Sequence, residues 1–156
     1  MSASQVVRNV IAVLIIVGAV AVYVFFRAPI LPSDFDAMEP VYPAGSRFLV
    51  NVRDRAPSAG DDVYYRYEYQ GATARQIGRV VAGPGETVRL GAGNRTVWDR
   101  FEKDVEPETG ATVGIVPEGT YYILRLKEDS DLVDSRNFGP VPAANVIGKV
   151  VTTLPF

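Results

Sequence analysis

Hydrophobic and polar positions divide the chain into two unlike stretches. From Val10 to Phe26 no charged or strongly polar side chain interrupts a run of aliphatic and aromatic residues. As a helix, these about 17 residues would reach roughly 25 Å, near the lower limit for crossing a bilayer. Val6 and Val7 extend the run past Arg8, whose side chain can snorkel toward water. Ala19-Val20-Ala21 offers the small-x-small site of a cleavable leader, but the run continues through Val22-Tyr23-Val24-Phe25-Phe26, which favours an uncleaved anchor. The expected organisation is therefore a transmembrane anchor over residues 1–27 and one folded domain over residues 28–156.

From Ala28 onward the period shortens. Phe48 to Val52, Val63 to Tyr69, Gln76 to Val81, Thr87 to Leu90, Thr96 to Trp98, Thr120 to Leu126 and Val146 to Thr152 are β-branched or aromatic runs separated by Gly, Pro, Asn and Asp. No stretch there keeps a helical apolar period over three turns. Gly91-Ala92-Gly93-Asn94 predicts a hairpin loop. Many short strands at this spacing predict a mainly β fold, a small closed or folded-over barrel. In Val63 to Gln70, alternation puts Val63, Tyr65, Tyr67 and Tyr69 on one face, as expected of cross-strand packing on a half-buried sheet.

Composition narrows the chemistry. The 156 residues suit one compact domain, and a net charge of −2 with no basic stripe argues against nucleic-acid binding. The chain has no His and no Cys, so disulfides, thiolate sites, Ser-His and Cys-His arrangements are excluded and no metal or other cofactor is expected. Glu128-Asp129-Ser130-Asp131 carries oxygen ligands but lacks the pattern of a calcium loop, and reads as a solvated acidic turn.

Several segments, in order, resemble the type I signal peptidases, the Ser-Lys leader peptidases. Asp36-Ala37-Met38-Glu39-Pro40 lies where that family carries its Ser-Met-x-Pro box, just beyond the anchor. Val41 to Asn51 resembles the following turn and strand, Gly60-Asp61-Asp62-Val63 the Gly-Asp-x-Val entry, and Ile77 to Glu86 the Lys-Arg-Val-Val-Gly-x-Pro-Gly-Asp run. Val116 to Ile123, Asp134 to Pro142 and Ile147 to Val150 resemble its closing motifs.

The resemblance implies a site that has lost its chemistry. The nucleophilic Ser is Ala37, and a methyl group has no lone pair to attack with. The Lys general base is Gly78; the Ser that orients it is Leu132; the hydroxyl that assists the oxyanion is Phe35. The Gly-Asp-Asn stretch has become Leu126-Lys127-Glu128. Lys103, Lys127 and Lys149 are the only lysines, none at the family's base position, and Ser33 and Ser46 are the hydroxyls nearest the box in sequence. Asp134 and Arg136 match the family's Asp-x-Arg, and a structural ion pair is expected of them.

Two function classes follow. One is a catalytically inert, signal-peptidase-like protein serving as accessory subunit or assembly factor of a pilus, secretion, respiratory or photosynthetic membrane complex. The other is an active membrane-bound peptidase with relocated catalytic groups. For the first, the expected partners are membrane lipid, other membrane-protein subunits and an extended peptide, met through Phe35, Met38, Val41 and Tyr42 as an apolar rim beside the anchor. Charges flanking the anchor barely discriminate orientation. The resemblance implies a single pass through the cytoplasmic (inner) membrane, the N-terminus inside and the domain on the outer, periplasmic face.

Overall fold

The computed structural model describes residues 3–90, 103–105 and 112–154. Helix α1 (Ala3–Phe25) covers the apolar run and starts earlier than the charge-free stretch, because an exposed Arg8 is no obstacle to helix. Its 23 residues would extend about 34 Å. Its aliphatic side chains are largely exposed, so among the described residues little shields them from water. Length and composition suit a membrane span or a signal sequence.

Strand β1 (Phe26–Arg27) continues directly from the helix and pairs antiparallel with β2 (Arg47–Asn51). The Val52 amide donates to the Phe25 carbonyl at 2.9 Å, and the Arg53 guanidinium lies 4.1 Å from the centre of the Phe25 ring. The remaining strands are β3 (Asp62–Tyr69), β4 (Ala72–Ala82), β5 (Thr87–Leu90), β6 (Lys103–Val105), β7 (Thr112–Ile115), β8 (Thr120–Leu124), β9 (Val141–Pro142) and β10 (Val146–Leu154). Helix α2 (Ser135–Phe138) and a 3-10 turn (Ala143–Asn145) sit between β8 and β10.

One seven-stranded antiparallel sheet runs β1-β2-β10-β3-β4-β8-β9, and a three-stranded sheet runs β5-β7-β6. The expected closed barrel is corrected here: the larger sheet is open. Closure requires edge strands long enough to pair with each other, and the edges are the two-residue strands β1 and β9 at opposite ends. Strands β6 and β7 carry no strong sequence pattern and escaped the sequence reading. The expected strand Thr96 to Trp98 and the expected hairpin loop 91–94 lie outside the described residues.

Among the described residues, three groups of side chains fill the interior. Leu31, Phe35, Ala37, Met38, Tyr42, Phe48, Val50, Ile77 and Val150 form the first. Val63, Tyr65, Val80, Tyr121, Ile123, Val141 and Val146 form the second, with Tyr67 and Phe138 against it. Ala82, Val88, Leu90, Val116 and Tyr122 form the third. Alternation in β3 is kept, with Val63 and Tyr65 fully buried and Arg66 and Glu68 exposed. Irregularities between Val80 and Ala82, Val146 and Gly148, and Val150 and Thr152 interrupt the pairing, and Val81 and Val151 at two of them are exposed despite being apolar.

Asp134 is the principal buried charge. Its carboxylate accepts the Arg136 amide at 2.9 Å as the cap of α2, pairs with the Arg136 guanidinium at 2.7 Å, and accepts the Arg125 amide at 3.2 Å. The side chain of Asn137 answers by accepting the Asp134 amide, which completes a capping box. The expected pair is thus formed and is also a helix cap. Asp134→Ala would take the counter-charge from the half-buried Arg136 and the cap from α2, and we expect a loss of about 3 kcal/mol or more in chemical denaturation.

Candidate functional site

The segment that carries the box is a run of turns packed into the first core group. The Phe35 amide donates to Pro32 O at 3.1 Å, Glu39 to Asp36 O at 3.0 Å and Tyr42 to Met38 O at 3.0 Å, and the Glu39-Pro40 peptide is cis. Ala37 is 2% exposed, and its carbonyl accepts the amides of both Leu126 (2.8 Å) and Lys127 (3.0 Å). The box is thereby stitched to the chain that follows β8. Leu126 and Leu132 pack against the same group as Ala37 and Phe35.

Gly78 has other neighbours. It is buried on β4 opposite Val63, and a Cβ built there would come within 2.7 Å of Ile123 Cγ2 and 3.2 Å of both Leu124 O and Tyr65 Cε1. Ile123 and Tyr65 belong to the second core group. The side chain of Gln76, two residues earlier, donates to the Tyr65 hydroxyl and to Val133 O, so Tyr65 is held by a polar contact as well as by packing. Of the positions that the resemblance pairs with catalytic residues, Phe35, Ala37 and Leu132 share one apolar cluster, while position 78 is closed by a ring and a branched side chain.

The apolar-rim expectation is corrected. Phe35 (4%), Met38 (0%) and Tyr42 (7%) are core residues, and of the four only Val41 is exposed. The cause is the turn-rich backbone, which folds the segment back on β2 and β10 and leaves its apolar side chains a better environment inside than out. The Tyr42 hydroxyl reaches Asp62 Oδ2 at 3.0 Å, and the same carboxylate is gripped by Arg79 at 2.8 and 2.9 Å. Desolvation of the ring and the nearby Asp62 charge push the Tyr42 hydroxyl well above its ordinary range.

A polar cluster that the sequence reading missed borders Ala37. Lys127 Nζ lies 2.8 Å from Asp36 Oδ2 and 3.3 Å from Glu39 Oε2, and the Ser130 hydroxyl donates to the other Asp36 oxygen. Ser130 is buried and also accepts the Leu132 amide at 3.2 Å. Asp36 and Lys127 stand 91 positions apart, so the only sequence signal was an unassigned Lys beside an acidic turn. Hydrogen bonds from Lys127 and Ser130 hold the Asp36 carboxyl below its ordinary value of 3.8. Asp36 and Glu39 raise the Lys127 amine. Among the other sequence candidates, Ser33 is exposed in a turn, and Ser46 is 4% exposed with a hydroxyl that has no hydrogen-bond partner among the described residues. Lys149 pairs with Asp61 at 2.8 Å, and the side chain of Lys103 lies outside the described residues. Among the described residues no group of three or more acidic, His or Cys side chains could hold a metal.

Two expectations follow from this geometry. Gly78→Ala should lower stability by about 1–3 kcal/mol in denaturant titration, because the added methyl overpacks Ile123 and Tyr65. The Asp36 carboxyl has a lower pKa folded than unfolded, so its pairing contributes stability at pH above about 4 and loses it as pH falls through the folded value. Asp36→Asn should therefore flatten the acid side of the melting-temperature profile below pH 4, measured against the unsubstituted protein.

None of the curated proteins compared with the chain matches it. A family match does: the signal peptidase family, peptidase S26, aligns with residues 4–154, from the apolar helix through the last strand. With a match that long over an anchor-like helix and a mainly β domain, the chain belongs to the signal peptidase family, peptidase S26.

Proposed function

We propose that the protein binds rather than cleaves: a membrane-anchored, catalytically inert member of the signal peptidase family, acting as an accessory or structural subunit or an assembly factor of a membrane complex. The observation that carries this reading is the closure of position 78. A Lys there would start from a Cβ already in conflict with Ile123 and Tyr65, and the residue opposite in function, Ala37, has no hydroxyl for a base to activate. The remaining candidate positions, Leu132 and Phe35, supply hydrocarbon where a working site needs a hydrogen-bonding shell. In this reading α1 stays in the cytoplasmic membrane with the N-terminus inside and the domain outside. The exposed helix surface, with Ile30 and Val41 beyond it, supplies apolar area for lipid and neighbouring subunits.

The second reading, a peptidase with relocated groups, draws on the Ser130, Asp36 and Lys127 cluster beside the box. Its electrostatics count against it. The Lys127 amine, raised by two carboxylates, holds its proton at neutral pH, and a carboxylate with a lowered pKa is a weaker base toward the Ser130 hydroxyl. The cluster is better described as a clamp that closes the box against the loop after β8.

The full chain, purified in detergent or bilayer and offered a signal-peptide substrate, should give no cleavage. Turnover that disappears with Ser130→Ala, Ser33→Ala or Ser46→Ala would establish the second reading instead. Ala37→Ser combined with Gly78→Lys should restore little activity, since position 78 has no space and Leu132 and Phe35 supply no hydrogen bonds. Activity at the level of ordinary family members from that pair would overturn the inert reading.

A further inference from the structure

The carboxylates of the described residues are matched unevenly with the arginines. Asp62 takes Arg79, Asp134 takes Arg136 and Arg125, Asp36 and Glu39 share Lys127, and Asp54 and Asp61 share Lys149. Arg27, Arg55, Arg66 and Arg75 are exposed and have no carboxylate partner among the described residues. Arg27 donates to the carbonyls of Tyr23 and Phe26, Arg55 to Val52 O, and Arg66 to Asn145 Oδ1 at 3.0 Å. Arg75 has no hydrogen-bond or ion-pair partner among the described residues.

These arginines line neighbouring hollows on one surface. A hollow of about 460 Å³ is walled by Arg27, Ala28, Pro29, Tyr64, Arg75 and Ile147. A second, of about 140 Å³, shares Arg75 and Ile147 with it and adds Arg55, Arg66 and Asn145. Arg66 and Arg75 are direct cross-strand partners in the β3–β4 register. Like charges so placed destabilise a sheet unless an anion lies between them. The wall of the larger hollow includes Arg27 to Pro29, the residues that leave the apolar helix, together with the half-buried Tyr64 and Ile147.

We propose that these adjoining arginine-lined hollows bind the phosphodiester headgroup of an anionic membrane lipid, with Arg75 and Arg66 on the phosphate, Arg27 beside it where the chain leaves the helix, and Tyr64 and Ile147 against the apolar part of the lipid. Guanidinium forks match phosphate oxygens, and a basic site at the height where an anchor leaves the bilayer meets headgroups without having to capture a soluble ion. The proposal rests on α1 as the anchor of the proposed function but not on the loss of catalysis, which substrate cleavage tests separately on the same preparation.

The test is a titration of the full chain in a neutral maltoside detergent, with bound lipid counted by native mass spectrometry. Short-chain phosphatidylglycerol should bind about tenfold or more tightly than short-chain phosphatidylcholine, and more weakly as salt rises. Arg66→Gln with Arg75→Gln should bring phosphatidylglycerol to the phosphatidylcholine level without lowering the lipid-free melting temperature, because the like-charge pair is gone. Arg27→Gln, away from that strand pair, should weaken binding in the same direction. Equal binding of the two lipids, or undiminished phosphatidylglycerol binding in these variants, would overturn the proposal. Displacement of phosphatidylglycerol by inorganic phosphate at equal concentration would overturn the lipid assignment, since the site would then read phosphate alone.

Discussion

The register of β3 against β4 fixes most of what is distinctive in this protein. Along one unbroken ladder it sets Asp62 opposite Arg79, Val63 opposite Gly78, Tyr65 opposite Gln76 and Arg66 opposite Arg75. The first pair forms the ion pair that also receives Tyr42 from just after the box. The third supplies the hydrogen bond that holds Tyr65 beside Gly78. The fourth concentrates positive charge on the outer surface. A shift by one residue would carry Val63 and Tyr65 to the solvent face and dissolve all of these relations together, so the burial of two core side chains enforces the rest.

The site region is governed by how an apolar cluster and a polar clamp share one short segment. Alternating side chains around Ala37 go to different fates: Phe35, Ala37 and Met38 inward, Asp36 and Glu39 toward Lys127. The two backbone bonds accepted by the Ala37 carbonyl hold both halves in place. Partly exposed ion pairs of this kind contribute less stability, whereas the buried Asp134 with its arginines and its helix cap is costly to disturb. The Asp134 to Asn137 turn is therefore the more strongly held part of the closing loop, and the clamp ties the box to Lys127 and Ser130.

In the inert reading proposed above, the glycine at position 78 has a structural counterpart. A buried amine needs partners for its protons, and a glycine at the same position needs none but leaves space to fill. Tyr65 and Ile123 fill it here, with the tyrosine hydroxyl satisfied by Gln76. The interior around position 78 is thus packed as ordinary core, and Phe35, Ala37 and Leu132 share another apolar cluster.

The sequence by itself determined the long apolar helix, most strands of the larger sheet and the alternation in β3, because these follow from periodicity and side-chain shape over contiguous residues. It also determined that Ala37 carries no nucleophile, since that is a matter of residue identity. The tertiary structure decided what depends on distant segments meeting. It left the larger sheet open, because the edge strands are two residues each. It buried Phe35, Met38 and Tyr42, whose hydrophobicity suits a core or a rim equally well until the chain's return path is known. It brought Asp36 to Lys127 across 91 positions, and it set four arginines with no carboxylate partner among the described residues around two adjoining hollows, a convergence that no local pattern encodes because it arises from strand register and from the exit of the helix.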